Sequence, residues 1–478
     1  MHSLRRVWER LMACQISGRD LLIPLLLLVL ASFTFFWRLG EGSLYDWDEA
    51  IYAQISQEMI WRHDLLTPTL ASTPNFSKPP LHYWLTVLAY KVFGVNEFGA
   101  RFWAALAGVG VVLMTYRLGS DLLGGATGVG AALLLLIVNN LPYSHGYSLV
   151  SIGRMGYMTV PIAFYALLAF WLAWKGQKDR RYLILLGLPL GAAVLTKSVV
   201  GLLPLGVLLA YWAVTWRRHE WPWRELGLAL VVLAAMVLPW HVIEALRYGR
   251  RFVDEYLLYH LLQRAFSTVD THYHSQPAWF YLDTIRKGFA QAWVVLPFAG
   301  LYAAYRAARG REQPLLLLLL WALVPLGLYS LAKTKIGWYI IEAYPAYALL
   351  AAAFLVRVLG GRPAVALIVA FMVLVGWRLP SPRDGAAEVK RVAPVVRYLA
   401  GQGERVLLCM RSDDYYPRPA TLFYAGRPVE HVTFAHGELA RSWPAARFLL
   451  TDTDTWQAAG LEGEIVCRAG TQLLVRNP

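Results

Sequence analysis

Asp48 and Glu49 are adjacent carboxylates placed shortly after the first long apolar run, immediately ahead of a stretch with helical spacing. A carboxylate fixed close to a hydroxyl can take its proton as that oxygen attacks, so either residue has the chemistry of a general base. The competing reading makes Asp48 the cap of the helix that follows. A second cluster is Asn75-Phe76-Ser77-Lys78-Pro79-Pro80-Leu81-His82-Tyr83-Trp84. The two prolines fix the backbone behind Lys78 and delay the next helix. An ammonium held this way at a membrane surface suits a lipid phosphate, although a lysine snorkelling to headgroups would look the same. Tyr256, His260 and Arg264 recur at four-residue spacing on one helix face, and Lys333 and Lys335 close the apolar run 314–331. Arginine grips a phosphate through two bonds and lysine acts as a point charge. His272 and His274, two residues apart with no cysteine nearby, do not make a metal set, and no metal or other cofactor is expected.

The elements that must position these residues follow from composition. Of 478 residues, 57% are hydrophobic and only 16% charged, which demands a bilayer. The runs 21–37, 126–141, 226–242, 314–331 and 364–377 approach the length that crosses a hydrocarbon core of ~30 Å. Lipid offers the backbone no hydrogen bonds, so these runs should be helices, and their unbroken leucines exclude the alternating pattern of a barrel. The net charge of +14 is spread over short loops with no dense block, which excludes a nucleic-acid partner and marks topology instead. Arg5, Arg6, Arg10 and Arg19 ahead of the first run put the N-terminus in the cytoplasm. The run leads into Trp37 and Arg38 without a cleavage site, so it reads as a retained helix. Counting about eleven or more spans, segments 38–101, roughly 244–290 and everything beyond 378 fall outside, and Arg247, Arg250 and Arg251 are the one imperfection. All four polar clusters then lie on the outer side. Within 38–101, Ile51, Ile55 and Met59 suggest a helix lying in the interface with its apolar side down.

Beyond residue 378 the period changes. Helix-like 386–400 and 420–425 alternate with strand-like 405–410, 447–451, 464–467 and 472–475, which reads as a small α/β domain without a glycine-rich phosphate loop. Cys409 and Cys467 both fall in strand-like runs of an exported segment, where a disulfide is chemically possible and two thiols are the alternative. The expected architecture is an α-helical polytopic membrane domain over 1–378, with outer loops 38–101 and 244–290, followed by a soluble extracytoplasmic α/β domain over 379–478.

Together these motifs resemble the protein O-mannosyltransferase and aminoarabinose (lipid A) transferase group of the glycosyltransferase C superfamily. Asp48-Glu49-Ala50-Ile51-Tyr52-Ala53 resembles its first-loop acidic motif, and Ser77 through Trp84 its Lys-Pro-Pro-Leu segment. Gly94 to Arg101, Leu195-Thr196-Lys197, His260 to Arg264, His274 to Tyr281 and Lys333 to Pro345 are similar to later signatures, so the resemblance covers roughly residues 20–360. It implies a GT-C fold, with Asp48 as catalytic base beside Glu49, and Lys78, Arg264 and Lys335 near a carrier phosphate. His260, Lys197 and Tyr339 are implied as further substrate contacts. The chain departs from the group at Thr159, where many members carry Asp, at Ile51 in place of Arg, and at Ser77 in place of Glu. The implied reaction is an inverting displacement that moves a sugar from a polyprenyl-phosphate donor to a lipid, protein or glycan hydroxyl at the bacterial inner membrane. A lipid-linked glycan ligase is the nearest alternative. A lipid transporter would place its polar site at the midplane of inverted repeats, and no repeat is present.

Overall fold

The computed structural model describes residues 18–137, 147–215, 221–263, 276–310, 312–376, 383–401, 403–410, 418–434 and 437–478. Among them, six helices are long and apolar enough to cross a membrane: Glu97–Leu123, Thr159–Gly176, Arg181–Thr215, Trp223–Tyr248, Gln313–Leu331 and Gly337–Leu359. Leu21–Phe36, Gly125–Leu135 and Gly361–Leu374 are shorter apolar helices. The chain is therefore a mostly helical multi-pass membrane protein. Large apolar side chains on the outside of these helices are bare, among them Leu25, Val29, Val231, Leu323, Leu328 and Leu374. An apolar belt of that size is stable only against lipid.

The helices pack closely where glycine permits it. Phe35, at the end of the first helix, is fully buried in the space left by Gly108 and Gly153. A Cβ at Gly108 would come within 2.3 Å of the Phe35 ring, so the helix–helix approach depends on the missing side chain. Arg154 then donates to the carbonyls of Thr34 and Phe35 at 3.2 and 2.8 Å, which satisfies the open end of that helix. The residues 154–158 are thereby drawn against the loop that follows the first helix.

The C-terminal segment carries a five-stranded sheet in the order Glu430–His431, Val406–Leu408, Phe448–Asp452, Gln472–Arg476, Glu464–Ala469. The first three strands run parallel and the last two antiparallel. The helical stretch expected over 386–400 is two short helices, Ala387–Val392 and Val395–Leu399, with Pro394 between them. Cys409 follows the second strand of the sheet and Cys467 lies in its far edge strand, and both are free thiols. Two strands intervene, a separation of roughly 14 Å at normal strand spacing, so the disulfide cannot form.

This segment covers the loop that follows the first helix. Gly42 and Ser43 pair in parallel with Arg383 and Asp384, and the Ser43 amide donates to Asp384 Oδ1 at 3.1 Å. Tyr424 accepts from the Leu44 amide at 2.7 Å and donates to Glu97 at 3.0 Å, while Lys390 pairs with the same carboxylate. Residues 42–46 and the sheet therefore share one side of the membrane. The helix Asp48–Trp61 is caught between them, with every residue from Glu49 to Met59 buried. It is not an interfacial helix resting on its apolar side, because the C-terminal segment closes over what would have been its polar face.

Candidate active site

Arg101, in the first turns of the membrane helix Glu97–Leu123, organises the approach to Asp48. Its guanidinium donates to the carbonyls of Leu39, Glu41 and Ser43 at 2.8 to 3.0 Å and to Glu49 Oε1 at 2.7 Å. Glu49 is 1% exposed and also accepts from the amides of Tyr45 at 2.6 Å and Gly156 at 3.3 Å. A carboxylate so occupied is placed as a structural anchor, its oxygens taken up by Arg101 and two backbone amides. Asp48 differs in every respect. It sits in the first turn, is half-buried, makes no capping bond, and has no hydrogen-bond or ion-pair partner among the described residues. The capping reading fails, and the open carboxylate is held still by its neighbour.

The Lys78 cluster is fixed from below. Phe76 packs edge-on against Tyr248 and Phe252, both at 5.1 Å, within a nest that includes Trp240 and Tyr256. Asn75 Oδ1 accepts from the Ser77 amide and hydroxyl, and Lys78 Nζ reaches the Ser77 carbonyl at 3.0 Å. The Lys78 turn is thus seated on the segment that leads to His260. Residues 253–263 form a π-helix rather than an ordinary one. Tyr256 is buried there, with its hydroxyl 2.9 Å from His241 Nε2, and burial pushes its phenol up to about 12. The His260 side chain, Arg264, His272 and His274 lie outside the described residues.

The turn 154–158 joins the remaining clusters. Its Gly156 amide meets Glu49, and its Gly156 carbonyl lies 3.1 Å from His82 Nε2. Tyr157 packs on Trp338 at 5.0 Å, in the loop that carries Lys335 and Tyr339. Thr159, directly after the turn, is 3.5 Å from Lys197 Nζ, which rests 4.2 Å above the Tyr339 ring. Lys335 is only 8% exposed and donates to the Ala332 carbonyl at 2.7 Å, and Tyr281 clasps Ile336 through both its amide and its carbonyl. Lys333 is exposed. Through Glu49, His82, Trp338 and Lys197 this one turn touches the helix Asp48–Trp61, the segment after Lys78, the loop 335–339 and the end of the helix Gly187–Lys197.

Sequence reasoning missed three features. Arg101 lies 52 residues from the glutamate it holds. Glu342, within the membrane helix Gly337–Leu359, is buried and bonded by the Tyr329 hydroxyl. Its signal was available, because an acid inside an apolar run is expensive and usually has a task. The third is His82, read only as part of a motif. It is sealed between Gly156 and the Tyr52 ring, and burial holds its imidazole down to about 4. Its neutral form is favoured by the fold, so its contribution is complete above the unfolded value near 6.5 and is lost as pH falls toward 4. Stability should drop by roughly 3 kcal/mol across that window. Thermal unfolding of wild type and His82→Gln at pH 7 and pH 4.5 checks this, and the variant should show the flatter profile.

An apolar groove of about 550 Å³ lies between the helices around Leu282, Leu296, Leu323 and Leu350, with Asp283 and Arg286 at its edge. None of the candidate catalytic or substrate-binding residues named from the sequence is among its lining residues.

Residues 77–240 match the family model described as dolichyl-phosphate-mannose-protein mannosyltransferase. The chain is 35% identical over 362 residues to the undecaprenyl phosphate-alpha-4-amino-4-deoxy-L-arabinose arabinosyl transferase of Pseudomonas aeruginosa (strain LESB58), covering 71% of this chain and 61% of that protein. A second such transferase, from Pseudomonas fluorescens (strain Pf0-1), is 31% identical over 351 residues, covering 71% and 58%. The chain thus spans about three fifths of the length of the curated relatives it matches. Among solved structures, ArnT from Cupriavidus metallidurans bound to undecaprenyl phosphate superimposes with a TM-score of 0.76 at 20% identity, covering 94% of this chain and 97% of that one. The archaeal oligosaccharyltransferase AglB from Archaeoglobus fulgidus, in complex with an inhibitory peptide and a dolichol-phosphate, gives a TM-score of 0.61 at 15% identity, covering 91% and 70%. At these identities the structural likeness is one of fold.

Proposed function

We propose that the chain belongs to the glycosyltransferase C superfamily, alongside the protein O-mannosyltransferase and aminoarabinose-transferase-like proteins, and that it moves a sugar from a polyprenyl phosphate to an acceptor hydroxyl. The observation that carries the reading is the Asp48 carboxylate, unpartnered among the described residues yet immobilised by Glu49 and Arg101, beside a turn on which lysine-bearing segments converge. In the reaction the acceptor oxygen gives its proton to Asp48 and forms a bond to the anomeric carbon. The bond from that carbon to the phosphate oxygen breaks on the opposite face, so the configuration inverts. The electron pair leaves with the polyprenyl phosphate, which gains one negative charge as Asp48 loses one. Lys78, Arg264 and Lys335 meet that charge, an effect that strengthens away from bulk water. Lys197, Tyr339 and His260 line the sugar side.

The reaction takes place at the outer face of the bacterial inner membrane. About eleven spans carry the domain over 1–378, with the N-terminus in the cytoplasm and the domain over 379–478 outside. Undecaprenyl phosphate is the carrier that the relatives' names favour, and a lipid acceptor is the matching partner. Purified protein in vesicles, given a radiolabelled sugar on undecaprenyl phosphate, should transfer the label. Transfer from a soluble nucleotide sugar with no polyprenyl phosphate present would overturn the donor. Lys78→Ala should lose a charged contact of roughly 1.5 to 3 kcal/mol, a ten- to hundredfold fall in kcat/KM for the donor. The acceptor KM should hold within a few-fold, and a fall confined to the acceptor would remove Lys78 from the phosphate.

A further inference from the structure

Residues 42–46, which lead into the Asp48 helix, are held by a part of the chain hundreds of residues further along. The Gly42 carbonyl accepts from Lys390 Nζ at 2.8 Å, the Ser43 hydroxyl from the Ala386 amide at 2.7 Å, and Asp46 Oδ1 from the Ala420 amide at 3.1 Å. The Leu44 amide donates to the Tyr424 hydroxyl at 2.7 Å. Tyr424 is buried and in turn donates to Glu97 Oε1 at 3.0 Å, at the start of the membrane helix Glu97–Leu123. One phenol thereby joins the loop ahead of Asp48, the membrane domain and the helix Pro419–Ala425. Burial, with the Glu97 carboxylate alongside, pushes that phenol well up, so it keeps the proton it donates. Trp47, between this clamp and Asp48, has φ 87 and ψ −141, a backbone that bulky side chains rarely enter. Such a conformation persists only where its surroundings over-determine it. Asp46 on one side is fixed by Ala420, and Glu49 on the other by Arg101.

We propose that Tyr424 is a positioning residue for the reaction: its hydroxyl fixes the Leu44 amide and with it the place of the Asp48 carboxylate, so the C-terminal segment completes the active site as well as covering it. A base must stand within hydrogen-bond reach of the hydroxyl it serves, and a misplacement of ~1 Å costs about two orders of magnitude in rate. Phenylalanine at 424 keeps the ring in its packing against Phe423 and removes both bonds, while Glu97 retains Lys390. The Leu44 amide is then buried without its acceptor, and the Trp47 backbone is free to relax. The inference rests on the reading of Asp48 as the base and names what holds that base in place.

Two measurements on the full-length protein in vesicles test it, one of them independent of substrate. Amide exchange read by mass spectrometry should speed up by roughly tenfold or more over 42–48 in Tyr424→Phe, and stay unchanged in the strands Phe448–Asp452 and Gln472–Arg476. Transfer of radiolabelled 4-amino-4-deoxy-L-arabinose from undecaprenyl phosphate, the donor in the relatives' names, to lipid A should show kcat down roughly ten- to hundredfold, with the donor KM within about twofold. In the Asp48→Asn background the same substitution should change kcat by less than about twofold, because a hydroxyl that acts through the base has nothing left to place. Ser43→Ala, which removes the Ala386 bond from the loop side, should move exchange and kcat in the same direction by less, and it serves where Tyr424→Phe fails to fold. Unchanged exchange over 42–48 in both variants overturns the proposal. So does a kcat loss of equal size with Asp or Asn at 48, which is how a general loss of stability would read, or a loss of donor affinity with kcat intact. A wild type inactive on this pair of substrates leaves the exchange result to decide. Asp48→Asn with normal turnover overturns the base and the proposal with it, yet leaves the faster exchange in Tyr424→Phe, which tells that failure from a failure of Tyr424 itself.

Discussion

Asp48→Asn is expected to lower turnover by roughly a hundred- to ten-thousand-fold, the range in which a positioned general base contributes to a proton transfer. The variant keeps the shape of the side chain and removes only its ability to take a proton. Nothing in the fold leans on the carboxylate, since it has no partner among the described residues and makes no cap. The substitution should therefore leave the unfolding temperature where it was, and donor KM should change little. Asp48→Glu, which retains the base on a longer stem, should recover part of the rate. Steady-state transfer from undecaprenyl-phosphate sugar, paired with thermal unfolding of the same preparations, separates these effects. Near-wild-type turnover by Asp48→Asn would remove the residue from the mechanism.

The membrane helices were legible because lipid imposes a condition that can be read residue by residue. The described parts of the five apolar runs named from the sequence lie mainly on helices, although the helix for 126–141 stops at Leu135 and that for 226–242 continues to Tyr248. The polar clusters stood out in the sequence for a related reason, because ionisable groups beside such runs are costly. What was not legible depends on contacts between distant parts of the chain. Periodicity gave the Asp48 helix one buried side, and only Tyr424 and Asp384, hundreds of residues later, explain why all its sides are buried. Likewise no local pattern distinguishes Asp48 from Glu49. The distinction arises from Arg101 and Gly156, which claim one carboxylate and leave the other open. The π-helix at 253–263 has no signature in hydrophobic spacing that separates it from an ordinary helix of the same length.

Glu49→Gln should damage the protein by a different route from Asp48→Asn. The Glu49–Arg101 pair is buried on both sides, at 1% and 5% exposure, and the guanidinium also holds three carbonyls of the segment that leads to Asp48. Glutamine keeps the size of the side chain but leaves a buried cation without its counter-charge, and can turn an amide donor toward it. Breaking one half of a buried pair costs about 3 to 5 kcal/mol, a large part of the stability of an ordinary domain. The unfolding temperature should fall, and proteolysis within 38–47 should accelerate as that segment loosens. Turnover should fall with them, because a base displaced by about 1 Å can lose two orders of magnitude. The combination is diagnostic. A Glu49→Gln protein that unfolds and resists protease like wild type, yet transfers no sugar, would show that Glu49 handles the proton itself and that Arg101 tunes a base rather than anchoring a loop.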